Sequence, residues 1–336
     1  LNNQSPFPSP APIMALATAY WNSQVFLTAN RIGLFQLLAK TKKTVPEIAS
    51  ALKTHEHPTQ LLLNACVALD ILEKEQDYYK NAAVTEVFLV PGQPTFMGNA
   101  ISYSDDLYDT WGKLEQCLHE DKPMMPPSKY LGQDAEQTRH FVYGMHNRAM
   151  GTASALVHLV DLAGCKQMLD VGGGPGTYSC MLAGRYPELK SNVLDLPGII
   201  VHTSDIIASM GKQAQVSTYP GDYHSTEFPS GNDVVLISGV FHRETEADCR
   251  KLIKKAADSL NKNGILVISD VFSDEGGCSP VFATLFAINM LLSAENGRVH
   301  ADSDVKNWMA DAGFEGIECK NFPPPMPHRL LAGRLK

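Results

Sequence analysis

Aspartate, glycine and histidine recur in this chain at positions where they could do chemistry together. The stretch Asp170-Val-Gly-Gly-Gly-Pro-Gly176 follows the apolar Met168-Leu169 and places Gly172, Gly174 and Gly176 where a strand would end. Glycines so spaced let the backbone itself approach a ligand, with the positive N-terminus of a following helix facing it. Thr177 stands where the dinucleotide fingerprint needs its third glycine, so the turn departs from a diphosphate cradle. Asp195 follows Gly176 by 19 positions, the place from which an acidic side chain accepts hydrogen bonds from ribose hydroxyls. Together with Asp170 and Asp222, it fits an adenosyl ligand that carries a positive sulfonium instead of phosphates. Farther on stand His242, Asp270 and His300. Two imidazoles and a carboxylate could move a proton near neutral pH, and they are also the minimum for a nonhaem metal site.

The elements that position these residues alternate. A strand through Val171, a helix past Leu182 and Tyr186, a strand ending at Asp195-Leu-Pro197 and a helix near Val201 to Ala208 come first. Asn232 to Ser238 reads as a buried strand leading to Phe241-His242. A helix from Cys249 through Leu260, stopped by Asn263-Gly264, then precedes a strand from Ile265 to Val271. Strands and helices alternating at this pitch imply a mostly parallel sheet covered on both faces, with ligands beyond the carboxyl ends of its strands. Each acidic or histidine candidate up to Asp270 lies at such an end.

The first half is different. Pro12 to Lys40 is apolar at helical spacing with a break near Gly33, and Thr44-Val-Pro-Glu47 reads as a capping box. Pro58 to Leu72 reads as a buried helix, followed by a hairpin around Glu75-Gln-Asp77. Helices followed by a hairpin are the order of a winged helix. Its third helix, Leu61-Leu-Leu-Asn-Ala-Cys66, offers no cation to a phosphate, which favours packing against another subunit over DNA binding. A long helix from Gln137 to about Leu162 then connects the halves. The expected divisions are 1–105, a helical connector at 106–162, and 163–336.

Composition agrees with an enzyme acting on small molecules. The 336 residues carry a net charge of −8, which argues against a protein that mainly neutralises nucleic acid. Seven scattered cysteines without a C-x-x-C pair imply free thiols in a reducing compartment. Leu1 to Pro6 shows no secretory pattern, and no apolar run approaches a membrane span, so a cytoplasmic location is expected.

At this point the chain resembles the class I S-adenosylmethionine-dependent methyltransferases, specifically the small-molecule O-methyltransferases that include acetylserotonin, caffeate and bacterial polyketide enzymes. The carriers are Asp170–Gly176, Asp195-Leu-Pro197, Gly221-Asp-Tyr223, Phe241-His242, Asn289-Met-Leu291 and Ala312-Gly-Phe314, in the family's order. The resemblance implies a Rossmann-like α/β methyltransferase fold with an N-terminal, mainly α, winged-helix-like dimerisation domain. It implies S-adenosylmethionine as cofactor, a homodimer, and a small, aromatic, hydroxylated acceptor. Gly172, Gly174 and Gly176 would pass under the methionine part, Asp195 would hold the ribose, and Asp222 with Tyr223 would flank the adenine. Asp170, Leu196 and Ser238 complete the cofactor set.

His242 falls on the family's general base, with Asp270 orienting its ring. Phe141, Met145, His146 and Met150 on the long helix, with Phe286, Asn289 and Met290 on a later one, would roof the acceptor. Departures from the family are Arg243-Glu244 after the histidine and Val299 where a second glutamate usually stands. His300 lies beside that gap and is expected to face His242 across one pocket, as a third catalytic residue or, less favoured, as half of a metal site. Carbon or nitrogen methylation and a non-methylating reaction remain the main alternatives. A ligand-sensing DNA-binding regulator is disfavoured by the acidic balance, and a nicotinamide enzyme by Thr177.

Overall fold

The computed structural model describes residues 8–93, 95–126, 132 and 134–336; the opening Leu1 to Pro6 lies outside them. The chain divides into two compact units, Leu1–Asp105 and Asp106–Lys336. No helix among the described residues is long and apolar enough to cross a membrane.

In the first unit, helices Ala11–Thr18 and Tyr20–Arg31 precede a short helix Leu34–Leu37, and Gly33 makes the break with φ +77°. The capping box forms as expected: the Thr44 N–H donates to Glu47 Oε2 at 2.7 Å and opens helix Val45–Leu52. Helix Glu56–Ala68 follows, then strands β2 (Leu72–Glu75) and β3 (Tyr78–Asn81), and β1 (Lys43–Thr44) pairs with β3 to complete a three-stranded sheet. Leu34, Phe35, Leu38, Ile48, Leu63 and Tyr79 fill its core.

The second unit is built on a seven-stranded sheet. Its strands are β4 (Gln167–Val171), β5 (Lys190–Asp195), β6 (Val216–Pro220), β7 (Asn232–Ser238), β8 (Leu260–Asp270), β9 (Phe314–Asn321) and β10 (Arg329–Leu335), in the order β6-β5-β4-β7-β8-β10-β9. The pairs from β6 to β8 are parallel, whereas β10 runs antiparallel to both β8 and β9. The strand order reverses between β5 and β7 on either side of β4, which opens the crevice where ligands of such sheets bind. Burial follows from sequence: Val234, Val235, Leu236 and Ile237 of β7 are apolar throughout, as a strand covered on both faces requires. The long helix runs from Ala135 to Leu159, started by the Asp134 carboxylate, which accepts from the Glu136 and Gln137 N–H groups.

Two features differ from expectation. The helix before β8 ends at Ser259 and not at Asn263. Leu260 sits at a helical interval, but its backbone pairs with Asn232, and the Asn261 amide donates to the Gly231 carbonyl and to Asp233, so strand pairing captures it. The antiparallel β9–β10 pair is also additional to the elements read from the sequence.

Leu236 is fully buried at the centre of the sheet. Leu236→Ala should therefore lower the unfolding free energy of the second unit by about 2–5 kcal/mol, measured by urea unfolding monitored through circular dichroism.

Candidate active site

The glycine turn leaves β4 under tight steric control. The Gly172 N–H donates to the Leu194 carbonyl at 2.8 Å, and the residue has φ +63°. A Cβ there would stand 2.7 Å from Val240 Cγ2 and 3.5 Å from the Tyr223 ring, so only glycine fits. Gly174, at φ +52°, has nothing within 4 Å of its Cβ position and turns an open backbone outward. Its carbonyl accepts from Thr203 Oγ1 at 2.6 Å, which ties the turn to helix Pro197–Ser209. Gly176 caps helix Thr177–Arg185 in the left-handed conformation.

Beneath the turn lies Asp170, fully buried. One of its oxygens accepts from Ser179 Oγ at 2.6 Å, and the other has no hydrogen-bond partner among the described residues. Burial is the chief reason its pKa is pushed up to about 7; Asp195 adds to the rise and the Ser179 bond opposes it.

Asp195 ends β5 beside the turn. Its two oxygens accept from the Gly174 N–H at 2.8 Å and the Leu196 N–H at 2.7 Å. Burial raises its pKa and these two donors pull against that rise. Leu196 thus serves through its backbone, while its side chain packs against Val142, Ile199 and Ile206. Tyr223 packs beside Gly172 and donates its hydroxyl to Glu244 Oε1 at 2.7 Å. Burial, reinforced by the Glu244 charge, pushes that phenol well above its ordinary range. The Asp222 carboxylate accepts from the His224 N–H at 2.9 Å, within its own loop. The Tyr178 phenol, hydrogen-bonded to Thr152 Oγ1 at 2.8 Å, is raised in pKa by burial, and the Ser238 hydroxyl is among the neighbours that oppose the rise.

These residues fit an adenosyl sulfonium ligand. Open glycine backbone, a carboxylate with no ion pair among the described residues and a packed aromatic ring are donor-accepting and apolar surfaces, suited to hydroxyls, a cation and a base.

The candidate base stands on a single 3-10 turn, Phe241–Arg243, directly after β7. His242 Nδ1 lies 2.7 Å from Asp270 Oδ1, and the His242 N–H donates to Asp270 Oδ2 at 3.2 Å. The Val271 N–H donates to the same carboxylate at 2.8 Å. Burial alone would raise the Asp270 pKa, but the His242 charge and these hydrogen bonds together hold it below the usual carboxylate range. An ionised Asp270 fixes the proton of the neutral imidazole on Nδ1 and leaves Nε2 as the acceptor. The Phe286 ring meets the imidazole edge-on at 5.1 Å.

His300 departs from expectation. Its Nε2 lies 3.0 Å from the Glu244 carbonyl and 3.6 Å from Cys249 Sγ, and its ring meets Trp308 edge-on at 5.1 Å. Its Nε2 is thus engaged with the Glu244 backbone and its ring with Trp308, and no hydrogen bond joins it to His242 among the described residues. Among the described residues no group of three or more His, Cys, Asp or Glu could hold a metal ion.

The proposed acceptor residues divide. Met145 and Met150 on the long helix are half-buried. Phe141 packs against the Val142-Ile199-Ile206 cluster, which makes it part of the interior. The His146 Nδ1 lies 2.8 Å from Thr177 Oγ1, so this ring is tied to the helix that follows the glycine turn. On helix Val281–Ser293, Asn289 Oδ1 accepts from Trp111 Nε1 at 2.9 Å, and Met290 is buried. Two features were not read from the sequence. Glu244 stood out there only as a departure from the family, and its bond to Tyr223 is a finding of the structure. His328 adjoins Arg329, which pairs with Asp270, and its buried Nδ1 lacks a partner among the described residues.

Comparison with known proteins follows the same division. Residues 107–315 match an O-methyltransferase domain, and residues 14–91 match an O-methyltransferase dimerisation domain. The chain is 31% identical to the 3-hydroxy-5-methyl-1-naphthoate 3-O-methyltransferase of Streptomyces sahachiroi, over 96% of this chain and 95% of the relative. It is 27% identical to the N,N-dimethyltransferase OxyT of Streptomyces rimosus, over 90% of each chain. Its fold is similar to the crystal structure of human N-acetylserotonin methyltransferase in complex with S-adenosylmethionine, with a TM-score of 0.87 and 21% identity over 99% of both chains.

The protonation of Asp170 gives a pH test. With a folded pKa near 7 and an unfolded one near 3.9, the native state binds the extra proton between them, so stability falls as pH rises through that window. Thermal unfolding from pH 4 to pH 8 should show the wild type losing ground to Asp170→Asn as pH rises; parallel curves would mean that Asp170 is ionised throughout.

Proposed function

The chain belongs to the O-methyltransferase family and uses S-adenosylmethionine, and we propose that His242 is the general base that prepares a small aromatic hydroxyl for methylation. The hydrogen-bonded pair of His242 and the buried Asp270 carries this reading. The bound cofactor would supply an electrophilic methyl group on sulfur. What the chain itself must supply is a reactive acceptor, because a phenol of pKa about 10 is largely protonated at neutral pH.

His242 Nε2 would take the phenolic proton, while Asp270 holds Nδ1–H and stabilises the imidazolium that results. Phe286, against the imidazole, would keep the acceptor ring near the base. Gly172, Gly174 and Gly176 would cradle the methionine part, and Asp195 would accept from the ribose hydroxyls. Tyr223, with Asp222 beside it, would flank the adenine. Met145 and Met150 are the long-helix residues best placed to wall the acceptor. The relative from Streptomyces sahachiroi is named for a hydroxynaphthoate, which makes hydroxynaphthoates the first acceptors to assay. The relative named as an N,N-dimethyltransferase supports nitrogen methylation as the second reading.

A homodimer is supported by the dimerisation-domain match and by Ile13, Leu16 and Trp21, which leave a large apolar surface on the first unit's opening helices. The reading places the enzyme in secondary metabolism in the cytoplasm.

His242→Ala should lower turnover of 3-hydroxy-1-naphthoate by about two orders of magnitude or more and leave S-adenosylhomocysteine affinity unchanged in calorimetry. Asp195→Ala should do the reverse, weakening the nucleoside first. Transfer of labelled methyl to nitrogen in an amine-bearing acceptor, with none to oxygen, would select the second reading.

A further inference from the structure

We propose that His300 is a positioning residue, one end of a brace at Arg298–His300 that fixes the turn carrying His242. The inference rests on the reading of His242 as base. A three-residue 3-10 turn has weak internal hydrogen bonding and cannot by itself hold a side chain in one direction. Here the turn closes with the Glu244 N–H on the Phe241 carbonyl at 3.1 Å, and the carbonyls of His242 and Glu244 are met from outside it, that of Glu244 with the Cys249 thiol at 4.0 Å as a weaker second donor. The Arg298 N–H donates to the His242 carbonyl at 2.9 Å. His300 Nε2 stands 3.0 Å from the Glu244 carbonyl. Both bonds come from one short segment, and they end on the turn and on the residue that caps it.

Chemistry decides which way the His300 bond runs. Burial among Trp308 and Cys249 lowers the pKa of this imidazole, outweighing the backbone carbonyls that raise it. A neutral imidazole has one N–H, and a carbonyl partner places that proton on Nε2. His300 therefore acts as a donor to the backbone and has no proton to exchange with the acceptor.

The brace is anchored at both ends. The Ser273 N–H donates to the His300 carbonyl at 3.0 Å, three residues after Asp270, so the exit of β8 registers both members of the His242–Asp270 pair. At the other end, Gly297 passes so close to helix Val281–Ser293 that a Cβ would lie 2.0 Å from the Met290 carbonyl. The same helix carries Phe286 against the His242 ring. Through this route the acceptor-side helix, the base and its carboxylate share one frame.

The test is a double-mutant cycle on methyl transfer from labelled S-adenosylmethionine to 3-hydroxy-1-naphthoate, well below the unfolding temperature. His300→Ala should lower kcat about tenfold, the scale of one lost hydrogen bond, with S-adenosylhomocysteine affinity and acceptor KM changed less than about twofold. His300→Gln, whose amide nitrogen reaches the same carbonyl, should recover most of the loss, and the shorter His300→Asn should not. Comparing these two keeps the question open to refutation where the alanine variant folds poorly.

In a His242→Ala background, His300→Ala should cost nothing further. An equal cost in both backgrounds, a parallel loss of S-adenosylhomocysteine affinity, or glutamine no better than asparagine would overturn the brace. Unchanged turnover in His242→Ala alone would instead overturn the base on which it rests.

Discussion

A carboxylate buried at the end of β8 is the constraint on which the site depends. Removing an ion from water costs several kcal/mol unless donors surround it, and Asp270 is buried at the rim of the sheet. Its donors are the Val271 and His242 N–H groups and the His242 ring. They stand just beyond the ends of β7 and β8, which run in register from Val234 opposite Ile265 to Ser238 opposite Ser269 and so bring the two exits together. The imidazole is thus the completing partner of a buried charge, brought within reach of Asp270 by the strand register and held there by the contacts of its own turn. A base oriented in this way needs little reorganisation when a proton arrives.

The cofactor side of the crevice repeats the logic with opposite sign. Asp170 is fully buried and Asp195 half-buried, both are raised in pKa, and neither has an ion pair among the described residues. Their donors are the Ser179 hydroxyl for Asp170, and the Gly174 N–H of the glycine turn with the Leu196 N–H for Asp195. Gly173 fits over Asp170 so closely that a Cβ would stand 2.7 Å from the carboxyl carbon. Two acidic side chains without a cationic partner, one of them with an oxygen that lacks a donor among the described residues, make the crevice hospitable to hydroxyls and cations and hostile to phosphate. The missing third glycine of the dinucleotide fingerprint has the same meaning: Thr177 is fully buried and bonded to His146, where a diphosphate cradle would need closer helix packing.

Much of this was legible in the sequence because it is local or lies at strand ends. The glycine turn and the positions of Asp195, His242 and Asp270 follow from apolar runs that end in polar residues, and a parallel sheet gathers those ends on one rim, while the pairing of His242 with Asp270 came from the family resemblance. What was not legible depends on contacts between distant segments. The direction of the His300 ring is set by Trp308 and by the carbonyl of Glu244, neither of which any periodicity reveals. The β9–β10 pair escaped because β9 is an edge strand with Glu315, Glu318 and Lys320 along it, and a charged edge hides the alternation by which strands are read. His328 and its neighbourhood were lost with that pair. The helix preceding β8 was read too long because Leu260 satisfies both a helical interval and a strand pairing, and only the sheet decides between them.

The central claim is that His242 removes the acceptor's proton, and acceptor acidity tests it most directly. Single-turnover methyl transfer would be measured for the wild type and His242→Ala across hydroxyarenes whose pKa runs from well above to well below the assay pH. If His242 is the base, the ratio of the two rates is largest for the least acidic acceptor and falls toward one as the hydroxyl becomes ionised in solution. A ratio that stays constant across the series would contradict the account and leave His242 a structural partner of Asp270.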